Sequence, residues 1–176
     1  MGSEVKYSLW LRPFGDIAFS LQQRIQKLSE KYDAPSFEPH ITLLGSLKDG
    51  ETELVQLTET LASSLHPFDV LLTKAGVGNT FYQSLFVHVE ESRELMNARK
   101  TAEKLFNPVD SDDRYLPHLS LMYGEFSREQ KERILNSMGR EFHIRFPVHS
   151  LLLVRTDGRP GSWKKIHSAE FTKPTS

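Results

Sequence analysis

The chain of 176 residues has no cysteine. That excludes disulfides and thiolate-ligated metals and fits a reducing compartment, so a cytoplasmic location is expected. No apolar run nears the roughly 20 residues of a membrane-spanning helix, and no membrane association is expected. The N-terminus shows no secretory h-region. Met1-Gly2 opens like a myristoylation signal, but Lys6 stands where that signal needs Ser or Thr. Charge of one sign is also missing: 22 Lys and Arg face 23 Asp and Glu, a net −1. A protein that grips a long nucleic acid carries a basic stripe. None is visible, so a small substrate or a nucleic-acid end is favoured, with no stable nucleic-acid complex. Low-complexity segments and linkers are absent too. Residues 1–176 therefore read as a single domain, long enough to bury a core unaided, and a monomer is expected.

What is present is one short pattern, twice. Pro39-His40-Ile41-Thr42-Leu43 and Pro117-His118-Leu119-Ser120-Leu121 both read Pro-His-apolar-hydroxyl-apolar. On a strand, alternate side chains share a face. His40 and Thr42 then point one way, with Ile41 and Leu43 behind them. His118 and Ser120 repeat the arrangement over Leu119 and Leu121. The leading proline suits the first position of a strand.

Around these runs the chain reads as strand, helix, Pro-His strand, helix, strand, and then the same again. Alternation predicts a strand over Val5–Leu11 with Trp10 on its polar face beside Ser8 and Arg12. Asp16 is placed to cap a helix through Tyr32. A second helix carries Leu54, Leu57, Leu61 and Leu65. Phe68–Ala75 is a strand, Gly76 and Gly78-Asn79 a turn, and Phe81–Val89 another strand. Ser92 is a helix cap. Asn107–Arg114 reads as an acidic loop. Ser127-Arg128-Glu129-Gln130 has the form of a capping box, and Gly139 of a helix stop. A continuous strand region is expected from Phe142 to Arg155, with a last strand over Trp163–Phe171 and a loose tail from Thr172. The leading strands are offset by 76 residues and the histidines by 78, which points to a structural duplication. Pseudo-twofold symmetry would bring the two Pro-His strands together at the centre.

Two imidazoles divide proton transfer between a base and an acid. Two hydroxyls about 7 Å along the same faces supply donors to phosphoryl oxygens. Together they suit in-line displacement at phosphorus, with His118 as the base toward water and His40 as the acid toward the leaving oxygen. Zinc is disfavoured, because neither pair has the spacing of a catalytic zinc site, and no metal or other cofactor is expected. His66, His88, His143, His149 and His167 lack this context and read as structural, His88 as a solvated strand end. Arg12, Lys164 and Lys165 are candidates for a second phosphate, although solvation explains them more simply.

These residues resemble the paired His-x-Thr/Ser signatures of the 2H phosphoesterase superfamily. Within it the chain is most similar to cyclic phosphodiesterases of plant and fungal type. The likeness spans nearly the whole chain, and includes Tyr7-Ser8-Leu9-Trp10, Gly78-Asn79-Thr80-Phe81-Tyr82-Gln83 and Tyr115 to Tyr123. It implies an α+β bilobal, LigT-like fold, with two lobes of antiparallel sheet around a central cleft. It also implies metal-independent hydrolysis of ADP-ribose 1″,2″-cyclic phosphate and nucleoside 2′,3′-cyclic phosphates. His40, Thr42, His118 and Ser120 match the four catalytic positions, Trp10 an aromatic at the substrate site, and Tyr123 a nearby tyrosine. Strict alternation from His118 turns Tyr123 away from the cleft, so it needs a bulge or a strand end to face inward. An RNA-end cyclic phosphodiesterase or 2′–5′ RNA ligase-like enzyme, and a non-catalytic nucleotide- or RNA-binding module, are the alternatives.

Overall fold

The computed structural model describes residues 4–108 and 114–174. Most of the acidic loop, Met1-Gly2 and the last two residues lie outside them. The described residues form eight strands and four α-helices. In chain order they are β1 (Tyr7–Leu11), α1 (Gly15–Tyr32), β2 (Ile41–Leu47), α2 (Glu51–Ser63), β3 (Phe68–Thr80), β4 (Gln83–Val89), α3 (Arg93–Phe106), β5 (His118–Met122), α4 (Arg128–Met138), β6 (Glu141–Val148), β7 (Ser150–Arg155) and β8 (Lys164–Glu170). The fold is α+β. All strands pair antiparallel in the order β6-β3-β4-β5-β2-β1-β7-β8. The two Pro-His strands, β2 and β5, meet at the centre through one pair, Ile41 opposite Leu119.

The duplication extends to the register. In one lobe Leu11 faces Ile41, Trp10 faces Thr42 and Leu9 faces Leu44. In the other Val87 faces Leu119, Phe86 faces Ser120 and Leu85 faces Met122. Each pair maps onto its counterpart by the offsets of 76 and 78 seen in the sequence. Both His strands therefore bulge at equivalent places, Leu43-Leu44 and Leu121-Met122. All four of these side chains are buried in one apolar core.

The chain halves are not the lobes, however. The first half's third strand, β3, joins the second lobe between β6 and β4, while β7 returns to lie beside β1. The expected continuous strand from Phe142 to Arg155 is two strands, broken at His149 and lying on opposite sides of the sheet. Helices cross over in the same way: α1 packs on β5 and α3 on β2. Leu21 and Ile25 of α1 and Leu95, Ala98 and Ala102 of α3 bury the helical stripe that their spacing sets.

Local signals fared unevenly. Ser92 and Ser127 cap α3 and α4 by accepting the N–H of Leu95 and of Gln130, and Gly139 ends α4 at φ 94°. Asp16 lies inside the first turn of α1 instead of capping it. The glycines at 76 and 78 continue β3 and make no turn, and the hairpin turns at Phe81-Tyr82. Gly78 is required there by close approach, because a Cβ on it would run into the carbonyl oxygen of Gln83. The expected loose tail is held at Thr172, which donates from its hydroxyl to Ser63 and from its N–H to Leu65.

Candidate active site

On the face of the sheet away from the core runs a cleft of about 750 Å³. Trp10, His40, Thr42, His118, Ser120 and Tyr123 all line it. The central antiparallel pair determines how they meet. With Ile41 opposite Leu119 on antiparallel strands, the two motifs run alongside in opposite directions, which brings His40 to the side of Ser120 and Thr42 to the side of His118. Each histidine thus lies beside the hydroxyl residue of the other lobe.

Both imidazoles are held alike. His40 Nδ1 lies 2.7 Å from the carbonyl oxygen of Glu38, and His118 Nδ1 lies 2.9 Å from that of Leu116. In each case the carbonyl belongs to the residue two before the histidine. A carbonyl only accepts, so Nδ1 carries the proton, and the neutral ring keeps its Nε2 lone pair for the cleft. The rings differ in surroundings. His40 is 7% exposed, and burial lowers its pKa to about 4, with His118 adding to the effect and the Glu38 carbonyl opposing it. His118 is also lowered, mainly by burial and then by His88, against the pull of the Leu116 carbonyl. His88 stands opposite His118 on β4. It is exposed, as expected, but shares the cleft-side face.

Tyr123 reaches the cleft through the β5 bulge, which resets the alternation, and through its place just past the strand end. It is 3% exposed and stacks on Phe37 at 3.7 Å. Burial raises its pKa well above the usual phenol value, so it is a neutral hydroxyl. Its counterpart in the duplication is Gly45, also in the cleft wall. Ser120 donates to the carbonyl of Tyr82 at 2.9 Å. The candidate phosphate cations lie elsewhere: Arg12 and Lys165 both pair with Glu38, at 3.6 and 2.9 Å, and none of Arg12, Lys164 and Lys165 lines the cleft. Sequence reasoning missed Trp163, Ser8, Lys6 and Thr156, which do line it. Trp163 follows a short turn and carries no motif, so only the fold brings it near Trp10, 5.8 Å away edge-on. Among the described residues, no group of three or more His, Cys, Asp or Glu is placed to hold a metal ion. No helix among them is long and apolar enough to cross a membrane.

Residues 17–160 match the family model described as the 2′-5′ RNA ligase superfamily. The chain belongs to that family, the 2H phosphoesterases. A cyclic phosphodiesterase of Arabidopsis thaliana is 26% identical over 158 residues, covering 86% of this chain and 85% of the relative. A 2′,3′-cyclic-nucleotide 3′-phosphodiesterase of Yarrowia lipolytica is 26% identical over 144 residues, covering 76% of this chain and 63% of that one. Among solved structures, Escherichia coli LigT complexed with 3′-AMP superposes with a TM-score of 0.67 at 14% identity, over 97% of this chain and 100% of that one. A Thermus thermophilus protein gives 0.68 at 16% identity, with the same coverage. These two likenesses establish the superfamily's LigT-like fold for this chain.

Proposed function

We propose that the chain hydrolyses small cyclic phosphates: ADP-ribose 1″,2″-cyclic phosphate to ADP-ribose 1″-phosphate, and nucleoside 2′,3′-cyclic phosphates to 2′-phosphates. The general class, cyclic-phosphate hydrolysis, accords with the family and with the named relatives. The observation that carries the reading is the matched pair of imidazoles. Each is fixed through Nδ1 to a carbonyl, each Nε2 has no hydrogen-bond partner among the described residues, and the two motifs run side by side in opposite directions.

Water attacks phosphorus as His118 removes its proton. The P–O bond to the ring oxygen breaks, and that oxygen takes a proton from His40. His118 is the more exposed ring and the one water reaches, which supports it as the base. An imidazolium at the enclosed His40 is a strong acid, and an anionic phosphate beside it restores part of its proton affinity. Thr42 and Ser120 donate to the non-bridging oxygens. For Ser120 this means turning its single proton away from Tyr82.

Among the described residues lining the cleft Lys6 is the cation, and the lining carboxylates Glu4 and Asp157 pair with Lys48 and Arg155, so the lining carries little positive charge. That balance favours a compact substrate over a tract of RNA. The test is a product assay with ADP-ribose 1″,2″-cyclic phosphate, the four nucleoside 2′,3′-cyclic phosphates and a long RNA with a cyclic end. Turnover of the small substrates is expected, unaffected by EDTA. His40→Ala and His118→Ala should each lower kcat by about 10²–10⁴-fold while leaving the circular dichroism unchanged. Preference for the long RNA would establish the RNA-end enzyme instead, and binding without product a non-catalytic module.

A further inference from the structure

Trp10 lies flat on His40, with ring centroids 3.6 Å apart and planes 10° from parallel. It is 4% exposed, closed in by Leu152, Val154 and Trp163. A ring so enclosed, with one face already on an imidazole, has little left for a substrate's base. The duplication puts Phe86 at the equivalent place in the other lobe, facing Ser120 as Trp10 faces Thr42. Phe86 meets His118 differently, at 5.4 Å and 65°. Each histidine therefore has an aromatic neighbour from the adjoining strand. One pair is stacked and the other meets at an edge.

We propose that Trp10 is a positioning residue: lying flat against His40, it fixes the plane of that imidazole and keeps water off it, so that Nε2 faces the reacting phosphorus. Phe86 does the weaker version of the same task and leaves His118 free to turn toward water. The contact makes two symmetry-related histidines unequal. Its importance for turnover rests on the proposed acid–base role of His40, but the contact itself can be measured without substrate.

The measurement is an NMR titration of the histidine ring signals, with His40 and His118 assigned by their loss in His40→Asn and His118→Asn. In the wild type, His40 should titrate near 4. In Trp10→Leu its midpoint should rise by about one unit or more toward the ordinary value, with His118 unmoved. Phe86→Leu should shift His118 and spare His40, an outcome that general loosening of the site would not give. Trp10→Phe, which keeps a flat ring, should restore most of the wild-type midpoint. As a check that needs no change at Trp10, Trp163→Phe leaves Trp10 as the one tryptophan of the two in the chain. Its fluorescence should be quenched as the His40 imidazolium forms.

With a cyclic nucleotide, Trp10→Leu should lower kcat by about 10–100-fold, the scale of a misplaced catalytic group, and leave KM nearly constant. An unmoved His40 midpoint in Trp10→Leu, or fluorescence indifferent to that midpoint, would overturn the proposal. So would a raised KM with kcat intact, the mark of an aromatic that holds substrate. If the wild type turns over no cyclic phosphate, the functional reading fails while the titrations still decide whether Trp10 governs His40.

Discussion

Burial lowers both central imidazoles from their ordinary value of 6.5, with two measurable consequences. On the proposed mechanism, turnover needs one ring neutral and the other protonated. The rate kcat/KM therefore falls in acid as the base gains its proton, and falls in alkali as the acid loses its own. With both midpoints depressed in the free enzyme, the bell-shaped profile should centre on the acid side of 6.5. That position holds whichever ring is the base, because the profile reports the pair. A pH series of kcat/KM against a cyclic mononucleotide checks it. Stability carries the second consequence. A histidine whose folded pKa lies below its unfolded one costs nothing above pH 6.5. It destabilises increasingly as pH falls toward the folded value, because the unfolded chain then binds more protons. For His40, titrating at about 4, the loss by pH 4.5 is roughly 2–3 kcal/mol. Denaturant unfolding at pH 7 and pH 4.5 should show that decrement in the wild type and a smaller one in His40→Asn.

Among the elements, the two Pro-His strands were legible in the sequence because each carries a period-2 pattern and a chemical signature together. All six candidate site residues line one cleft. What alternation could not supply were the bulges. Leu43-Leu44 and Leu121-Met122 are apolar pairs that read as ordinary core, yet each reverses the facing of the residues after it. That reversal turns Tyr123 inward. The β3–β4 hairpin departs from its sequence pattern for a related reason. Gly76 and Gly78 look like turn residues, whereas they are strand positions, and at Gly78 the backbone of Gln83 comes too close for a side chain. Gly78→Ala should therefore separate the hairpin and lower stability by about 1–3 kcal/mol, the range of an overpacked site. It should also weaken the bond from Lys131 Nζ to the Gly78 carbonyl, now 2.6 Å. Thermal unfolding of the variant beside wild type measures the effect. Trp163 and β7 reach the site through long-range pairing, which no local pattern encodes.

At the scale of the whole molecule, the duplication is close in backbone and unequal in side chains. Tyr123 fills the wall of one lobe where Gly45 leaves the other open. A Cβ at Gly45 would meet Thr42 and Ser8 at ordinary contact distances of 3.6 and 3.8 Å, so the position tolerates a side chain. Gly45→Tyr should fold normally and narrow the cleft along Ser8 and Lys6. The expected result is a KM for ADP-ribose 1″,2″-cyclic phosphate raised about tenfold, or 1.4 kcal/mol, with a cyclic mononucleotide little affected. Steady-state kinetics on both substrates test it.

The exchange of strands between the halves also constrains how the molecule is made. β1 acquires its second neighbour only when Ser150–Arg155 has been synthesised, and β3, from the first half, waits for β4 and β6. Neither lobe is complete when only the first half of these residues has been made. His40 therefore reaches its final surroundings late, once Ser150–Arg155 has paired with β1 beside it.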